Sequence, residues 1–449
     1  MPDRPAFPVS PPAMSRNEEL LSRSLLSVWH PCTQMKQHER LPPVPIARAE
    51  GIWLYDFDGK RYLDAVSSWW VNLFGHANRD INAALVDQLG SLEHAMLAGF
   101  THEPVVRLSE RLGQLTGLGH CFYGSDGASA TEIALKMSFH FWRNSGRPGK
   151  TSFVSLAGGY HGETLGALSV TDVALFRDVY APLLRNSTQV ASPDWRGAGP
   201  GETAEAVALR AARALEAHLT EHHAHTAALI LEPLVQCAVG MAMHHPAYLR
   251  EARALCDRFG VHLIADEIAV GFGRSGTFLA CEQAGIQPDF LCLSKGITGG
   301  YLPLSVVLTR DQIYRAFYHD DLARGFLHSH SYTGNALACR AALAVLDIFE
   351  RDDVIARNHE KSAMISRRCA QLARHARVRN FRNTGMIWAF EVSDARADFA
   401  QRFHRGALDR GLLLRPIGNT VYFMPPYIVT EEHANLLVEG TTALLDMLD

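Results

Sequence analysis

The sequence predicts an α/β protein whose large domain is built on a mostly parallel sheet with helices on both faces, followed by a smaller α+β domain. Three observations lead there. Short apolar runs alternate with amphipathic stretches from about residue 120 to residue 310, the rhythm of successive βαβ units. At 449 residues the chain exceeds the size at which one hydrophobic core keeps growing. After the helical run ACRAALAVLDIFER (338–351) the order changes to a long helix, then strand-like runs, then helix.

Taken in order, residues 1–14 are proline-rich, lack the apolar stretch of a secretion signal and read as a disordered leader. Residues 15–77 form an N-terminal segment that contributes to the small domain and the site. Within it, GIWLYDFDGKRYLDAVSSWW (51–70) alternates apolar and polar residues around a D-x-D-G turn, which predicts a hairpin. The large domain covers 78–345. Its first part is helical, with apolar residues three and four apart in INAALVDQLGSLEHAM and VVRLSERLGQLTG. Strands follow at HCFYG (120–124), TSFVSLA (151–157), TAALILEPL (226–234), VHLIADE (261–267), DFLCLS (289–294) and LPLSVVLT (302–309). The small domain covers 346–449, with a helix around 352–375 and strands in GMIWAFEV (385–392) and TVYFMPPY (420–427).

Composition excludes several classes. Hydrophobic content of 47%, charged content of 20% and a net charge of −4 are those of an ordinary globular protein, with no basic face to hold nucleic acid. No run reaches the roughly 18 apolar residues of a membrane span. The 8 cysteines are scattered without a C-x-x-C pair, which favours reduced thiols and a cytoplasmic setting.

Candidate chemistry collects at the carboxyl ends of the predicted strands, where α/β sheets place reactive groups. Among 43 basic residues only six are lysines, and one of them, Lys295, ends the apolar run DFLCLSK and precedes the glycine-rich turn GITGGYLP. Desolvation there lowers an amine's pKa toward nucleophilic use, although a lysine merely marking a strand exit has the same local pattern. Asp266 ends VHLIAD and needs a cationic or hydrogen-bonded partner, either a protonated ring nitrogen or an arginine such as Arg274. The loop GSDGASATEIALK (124–136) opens a helix after a strand, an arrangement that binds phosphate through free backbone N–H groups or is plain capping. Tyr160 and His161 in GGYHGET (158–164) follow another strand, where an aromatic ring stacks on a flat ligand or packs over a loop. GFGRSG (271–276) matches the dinucleotide fingerprint without its ribose-binding acid, so a nicotinamide dehydrogenase is a poor reading. The histidines of EHHAHT (221–226) and HSH (328–330) lack a third ligand at metal-site spacing.

Taken together, GSDGASATEIALK, GGYHGETLGALSVT, LILEPLVQ, LIADEIAVGFGRSG, LCLSKGITGGYLPLS and SHSYTGNALAC resemble the fold-type I, class III pyridoxal-phosphate aminotransferases from about Trp29 to the C-terminus. The resemblance implies pyridoxal 5'-phosphate as cofactor, joined to Lys295, with Asp266 on its ring nitrogen, Tyr160 stacked on its ring and the amides of Gly127 and Ala128 on its phosphate. Ser331 matches a hydroxyl residue that reaches the phosphate from the other subunit, which implies a homodimer with sites at its interface. Within the class, WHPCTQMK (29–36), SSWW (67–70) and LLRPIGNTVYFMPPYI (413–428) resemble the branch that aminates 8-amino-7-oxononanoate in biotin synthesis, with S-adenosylmethionine or lysine as donor. Trp69 would then line the pocket for the long chain and Arg415 would pair with its terminal carboxylate. Cys32 stands where many members carry tyrosine, and Ser329-His330-Ser331 where they carry Gly-Pro-Thr; both departures border the donor side. An ω-amino-acid:pyruvate or ornithine-type aminotransferase is the same-class alternative, and a cofactor-dependent sensor without turnover the different-class one.

Overall fold

The computed structural model describes residues 14–185 and 187–448, so the expected leader lies, up to residue 13, outside the described residues. A helix Arg16–Ser27 opens the chain, started by a reciprocal capping box between Ser15 and Glu18. Strands β1 (Ile46–Glu50), β2 (Trp53–Asp56) and β3 (Arg61–Asp64) then form an antiparallel meander. The turn between β2 and β3 follows from its sequence, because Asp56 Oδ1 accepts the amides of Asp58 at 3.1 Å and Lys60 at 2.8 Å.

Helices Arg79–Leu89 and Glu103–Thr116 lead into the main sheet. Its strands are β4 (His120–Gly124), β5 (Ser152–Leu156), β6 (Thr188–Val190), β7 (Thr226–Leu231), then, after the small hairpin β8 (Val235–Gln236) and β9 (Ala242–Met243), β10 (His262–Asp266), β11 (Phe290–Leu293) and β12 (Ser305–Thr309). The seven strands lie in the order β4-β12-β11-β10-β7-β5-β6. All run parallel except β12, which is antiparallel to both β11 and β4. A buried run such as SVVLT is apolar on both faces, so its composition carries no direction; only the pairing shows it. The consequence for the site is that β4, β5, β7, β10 and β11 all end on one edge of the sheet.

Helices Ala336–Arg351 and Val354–Ala373 follow, then β13 (Val378–Thr384) and β14 (Ile387–Val392). Beyond the helix Phe399–Asp409, β15 (Leu412–Leu413) returns to pair parallel with β3, and β16 (Thr420–Phe423) pairs with β14 before the last helix, Glu431–Asp446. One apolar cluster runs without a break from Leu291 and Leu293 on β11, through Leu343 and Phe349, to Trp388, Phe390 and Phe423 of the C-terminal sheet. The α/β architecture around a large, parallel-rich sheet is thus the one the apolar periodicity predicts.

Candidate active site

Lys295 leaves β11 with a left-handed backbone (φ 44°) and begins a 3-10 turn to Thr298. That conformation is costly for a residue with a Cβ. The amine has no hydrogen-bond partner among the described residues and stands 5.0 Å from the centre of the Trp70 ring. Burial holds its pKa below the ordinary lysine value, against the opposing pull of Cys237, Asp266 and Glu232.

Asp266, at the end of the neighbouring β10, is buried, and its Oδ2 lies 2.7 Å from His161 Nδ1. Its Oδ1 accepts the Ile268 amide at 3.1 Å. The arginine partner considered from sequence is not used: Arg274 is itself buried and donates to the carbonyls of Pro425 and Asn72, both at 2.8 Å. The fingerprint-like GFGRSG is therefore a buried turn held by Arg274, with no helix starting on it. His161 Nε2 is buried without a partner.

Glu232, just past β7, accepts the amides of Tyr160 and Cys237, each at 3.0 Å. Burial raises its pKa to about 7, and the nearby Asp266 adds to the rise. His161 stands beside Tyr160 in the GGYHGET stretch that the sequence singles out, although its pairing with Asp266 does not follow from that stretch. Glu232 is not among the sequence candidates, and its signal is a place just past a strand end, within reach of the Tyr160 amide. The Tyr160 ring is half-buried, tilted against Phe176 at 5.5 Å, and its hydroxyl donates to Glu163 at 2.8 Å.

At the end of β4, Gly127 and Ala128 begin the helix Gly127–Asn144, and Asp126 caps it by accepting the Ser129 amide at 2.8 Å. The first amides of a helix have no intrahelical acceptor, so those of Gly127 and Ala128 stay free for an anion. Close packing forms the cradle: a Cβ on Gly162 would stand 2.6 Å from that of Ala128, and one on Gly127 would stand 3.0 Å from Ile268.

Ser67, Ser68, Trp69 and Trp70 have φ values of 52°, 44°, 70° and 74°, four successive residues in the left-handed region. The hairpin reading of this stretch stops at Asp64; SSWW itself is neither strand nor ordinary helix. Each such residue costs roughly 1–2 kcal/mol, and buried hydrogen bonds offset it. The fully buried Asp64 accepts Ser68 N at 2.9 Å and Ser68 Oγ at 2.8 Å, and His76 Nε2 lies 2.9 Å from its second oxygen. Ser67 Oγ donates to the Met424 carbonyl at 2.7 Å. The turn aims two adjacent indoles in different directions. Trp70 lies by Lys295 and donates to Tyr422 Oη at 3.1 Å. Trp69 is exposed, with the Arg415 guanidinium 4.9 Å from its ring.

Arg415 also donates to the Cys32 carbonyl at 3.3 Å, and Cys32, Trp69 and Arg415 line one cleft of about 460 Å³. Sequence positions 32, 69 and 415 are thus brought together. Ser329 and Ser331 are not: both are exposed, and the Ser331 carbonyl lies 2.8 Å from His94 Nε2. Between them, His330 turns inward to Ser125. The histidines of the 221–226 stretch serve a helix end, with His223 Nδ1 2.9 Å from the Leu219 carbonyl.

A lysine and an aspartate at adjacent strand ends, with a helix start at the same edge of the sheet, fit a pyridoxal-phosphate enzyme, and a family profile described as aminotransferase class-III matches residues 34–445. The chain belongs to that family. It is 46% identical over 443 residues to the adenosylmethionine-8-amino-7-oxononanoate aminotransferase of Helicobacter pylori, covering 97% of this chain and 99% of the relative. It is 41% identical to the protein of the same name from Geobacter sulfurreducens, over 92% of this chain and 94% of that one. Among solved structures, that of the Methanocaldococcus jannaschii enzyme of this name superposes with a TM-score of 0.90 at 33% identity, covering 96% of this chain and 99% of that one. A PLP-bound amine transaminase from an uncultivated Pseudomonas species superposes at 0.88 with 34% identity, covering 94% and 98%.

Proposed function

We propose that this chain transfers an amino group to 8-amino-7-oxononanoate, giving 7,8-diaminononanoate in biotin synthesis, with S-adenosylmethionine as the donor. The observation that carries the substrate is the cleft shared by Trp69 and Arg415, read with the names of the relatives. Its indole wall suits a methylene chain, and a guanidinium with only one backbone carbonyl as acceptor among the described residues suits a terminal carboxylate.

The residues fit the cofactor on three counts: the free amides at the start of the helix Gly127–Asn144, the unpartnered Lys295 amine, and a buried carboxylate at Asp266. Pyridoxal phosphate, when bound, supplies a ring that delocalises the electron pair left on the substrate carbon. Asp266 would hold a proton on the ring nitrogen, and His161 Nδ1, 2.7 Å from its Oδ2, keeps the carboxyl oriented. Lys295 Nζ, once released by the incoming amine, removes the proton from the substrate carbon and returns one at the neighbouring carbon. Burial, by lowering the basicity of the lysine amine, favours its neutral form. Tyr160, fixed through its amide by Glu232 and through its hydroxyl by Glu163, would pack against the ring. Arg415 and Trp69 orient the acceptor.

The same reading makes the protein a homodimer in which Ser331 serves the partner's site. Its support is that Ser331 is exposed, in a segment whose Leu327 and Tyr332 are 72% and 67% exposed. Cys32 and Ser329 leave the donor side open to lysine as the second candidate. The test is spectral: S-adenosylmethionine added without acceptor abolishes the cofactor's visible band, and lysine does so far more slowly. A faster loss with lysine overturns the donor and leaves the product unchanged.

A further inference from the structure

The segment Phe326–Thr333 and the start of the helix Gly127–Asn144 are tied by a chain of four polar groups. Lys136 Nζ lies 2.7 Å from His328 Nδ1, His328 Nε2 lies 3.0 Å from His330 Nε2, and His330 Nδ1 lies 3.2 Å from Ser125 Oγ. Valence fixes where every proton in this chain sits. An ammonium only donates, so His328 Nδ1 accepts and its remaining proton is on Nε2. His328 Nε2–H then donates to His330 Nε2, which places the His330 proton on Nδ1 and makes Ser125 Oγ its acceptor. With a lone pair thus occupied, the Ser125 hydroxyl directs its own proton elsewhere. Ser125 stands two residues before Gly127, at the rim of the helix start described above.

We propose that His328 and His330 form a proton-ordered relay that makes the Ser125 hydroxyl a donor to the cofactor's phosphate. The relay rests on the assignment of the phosphate to the Gly127–Ala128 amides. His330 and His328 are positioning residues, acting through Ser125, and the Lys136 charge sets the polarity at the far end. The chain requires both rings neutral. His328 meets that condition at neutral pH because burial, with Lys136 and His330 beside it, holds its titration below the ordinary histidine value, only Glu132 opposing. The other charged or titratable groups on the same cleft are His140, Arg143 and Arg185, none of which bonds into the chain. Phe122 and Phe326 pack on the His328 ring. As pH falls and a ring gains a second proton, one acceptor in the chain is lost and the order breaks.

The test measures cofactor affinity of the full-length protein for pyridoxal phosphate and for pyridoxal, which lacks the phosphate, in the parent, Ser125→Ala, His330→Phe, His328→Phe and the Ser125→Ala/His330→Phe pair. Each single change should weaken pyridoxal phosphate about tenfold at pH 8, the size of one hydrogen bond to a charged acceptor, and leave pyridoxal unaltered. The pair should be no weaker than either single change, since the two act through one bond. Between pH 8 and pH 5.5 the parent should lose affinity more steeply than His330→Phe, the phosphate's own ionisation being common to both. Additive losses, an equal loss for pyridoxal, or parallel pH profiles overturn the relay. If the parent itself fails to bind pyridoxal phosphate, the cofactor assignment falls instead.

Discussion

Lys295 shows how much one residue's setting decides. Its place after DFLCLS was legible in sequence because a scarce residue type closes an apolar run. Its left-handed backbone, its missing hydrogen-bond partner and the indole beside it were not, since each depends on residues far off in the chain. The same holds for Asp266, whose burial follows from VHLIAD while its partner, His161, lies 105 positions away. Borohydride reduction of the holoenzyme followed by peptide mapping should label Lys295 and no other lysine. Lys36, Lys60, Lys136, Lys150 and Lys361 are the five alternatives, and a label on any of them removes Lys295 from the chemistry.

At the scale of elements, apolar periodicity found the strands because burial on both faces demands unbroken runs, as in TAALIL and HLIAD. It could not give the direction of β12, nor foresee SSWW. Four L-residues in the left-handed region have no propensity signal; the turn exists because Asp64 and Met424 satisfy it from outside. Asp64→Asn keeps the shape of the side chain but replaces one acceptor oxygen with a donor, facing Ser68 or His76. Unfolding free energy should fall by about 2 kcal/mol, and the near-ultraviolet circular dichroism from Trp69 and Trp70 should change along with a raised KM for the oxononanoate. An unaltered tryptophan spectrum together with an unaltered KM would show that the run holds itself.

For the molecule as a whole, two buried glutamates make stability fall as pH rises through neutrality. Glu232 and Glu267 both have pKa values raised to about 7 by burial, from an ordinary 4.5. The fold therefore prefers their protonated forms. The contribution is fully present below the unfolded value near 4.5 and is lost as pH rises through 7, on the order of 3 kcal/mol for each group. Glu267→Gln isolates one of them, since the Glu267 carboxyl accepts the amides of Ala280 at 2.7 Å and Cys281 at 2.8 Å and has no part in the chemistry proposed above. Relative to the parent, the variant's urea midpoint in the cofactor-free protein should be lower at pH 5 and recover toward or beyond the parent at pH 8. A difference independent of pH would mean that Glu267 ionises in the fold as freely as in water.

The unbroken apolar cluster from β11 to the C-terminal sheet has a further meaning for an enzyme that must receive two unlike substrates in turn. Walls joined through a shared interior cannot part like a hinge without exposing Trp388 and Phe390 to water, so selection between donor and acceptor falls to what can move locally. Under the reading proposed above, that local element would be Arg415, which rests on an exposed indole and one carbonyl and would swing aside while the scaffold stays shut. The two guests would then be told apart by a turning side chain, in a room whose dimensions do not change.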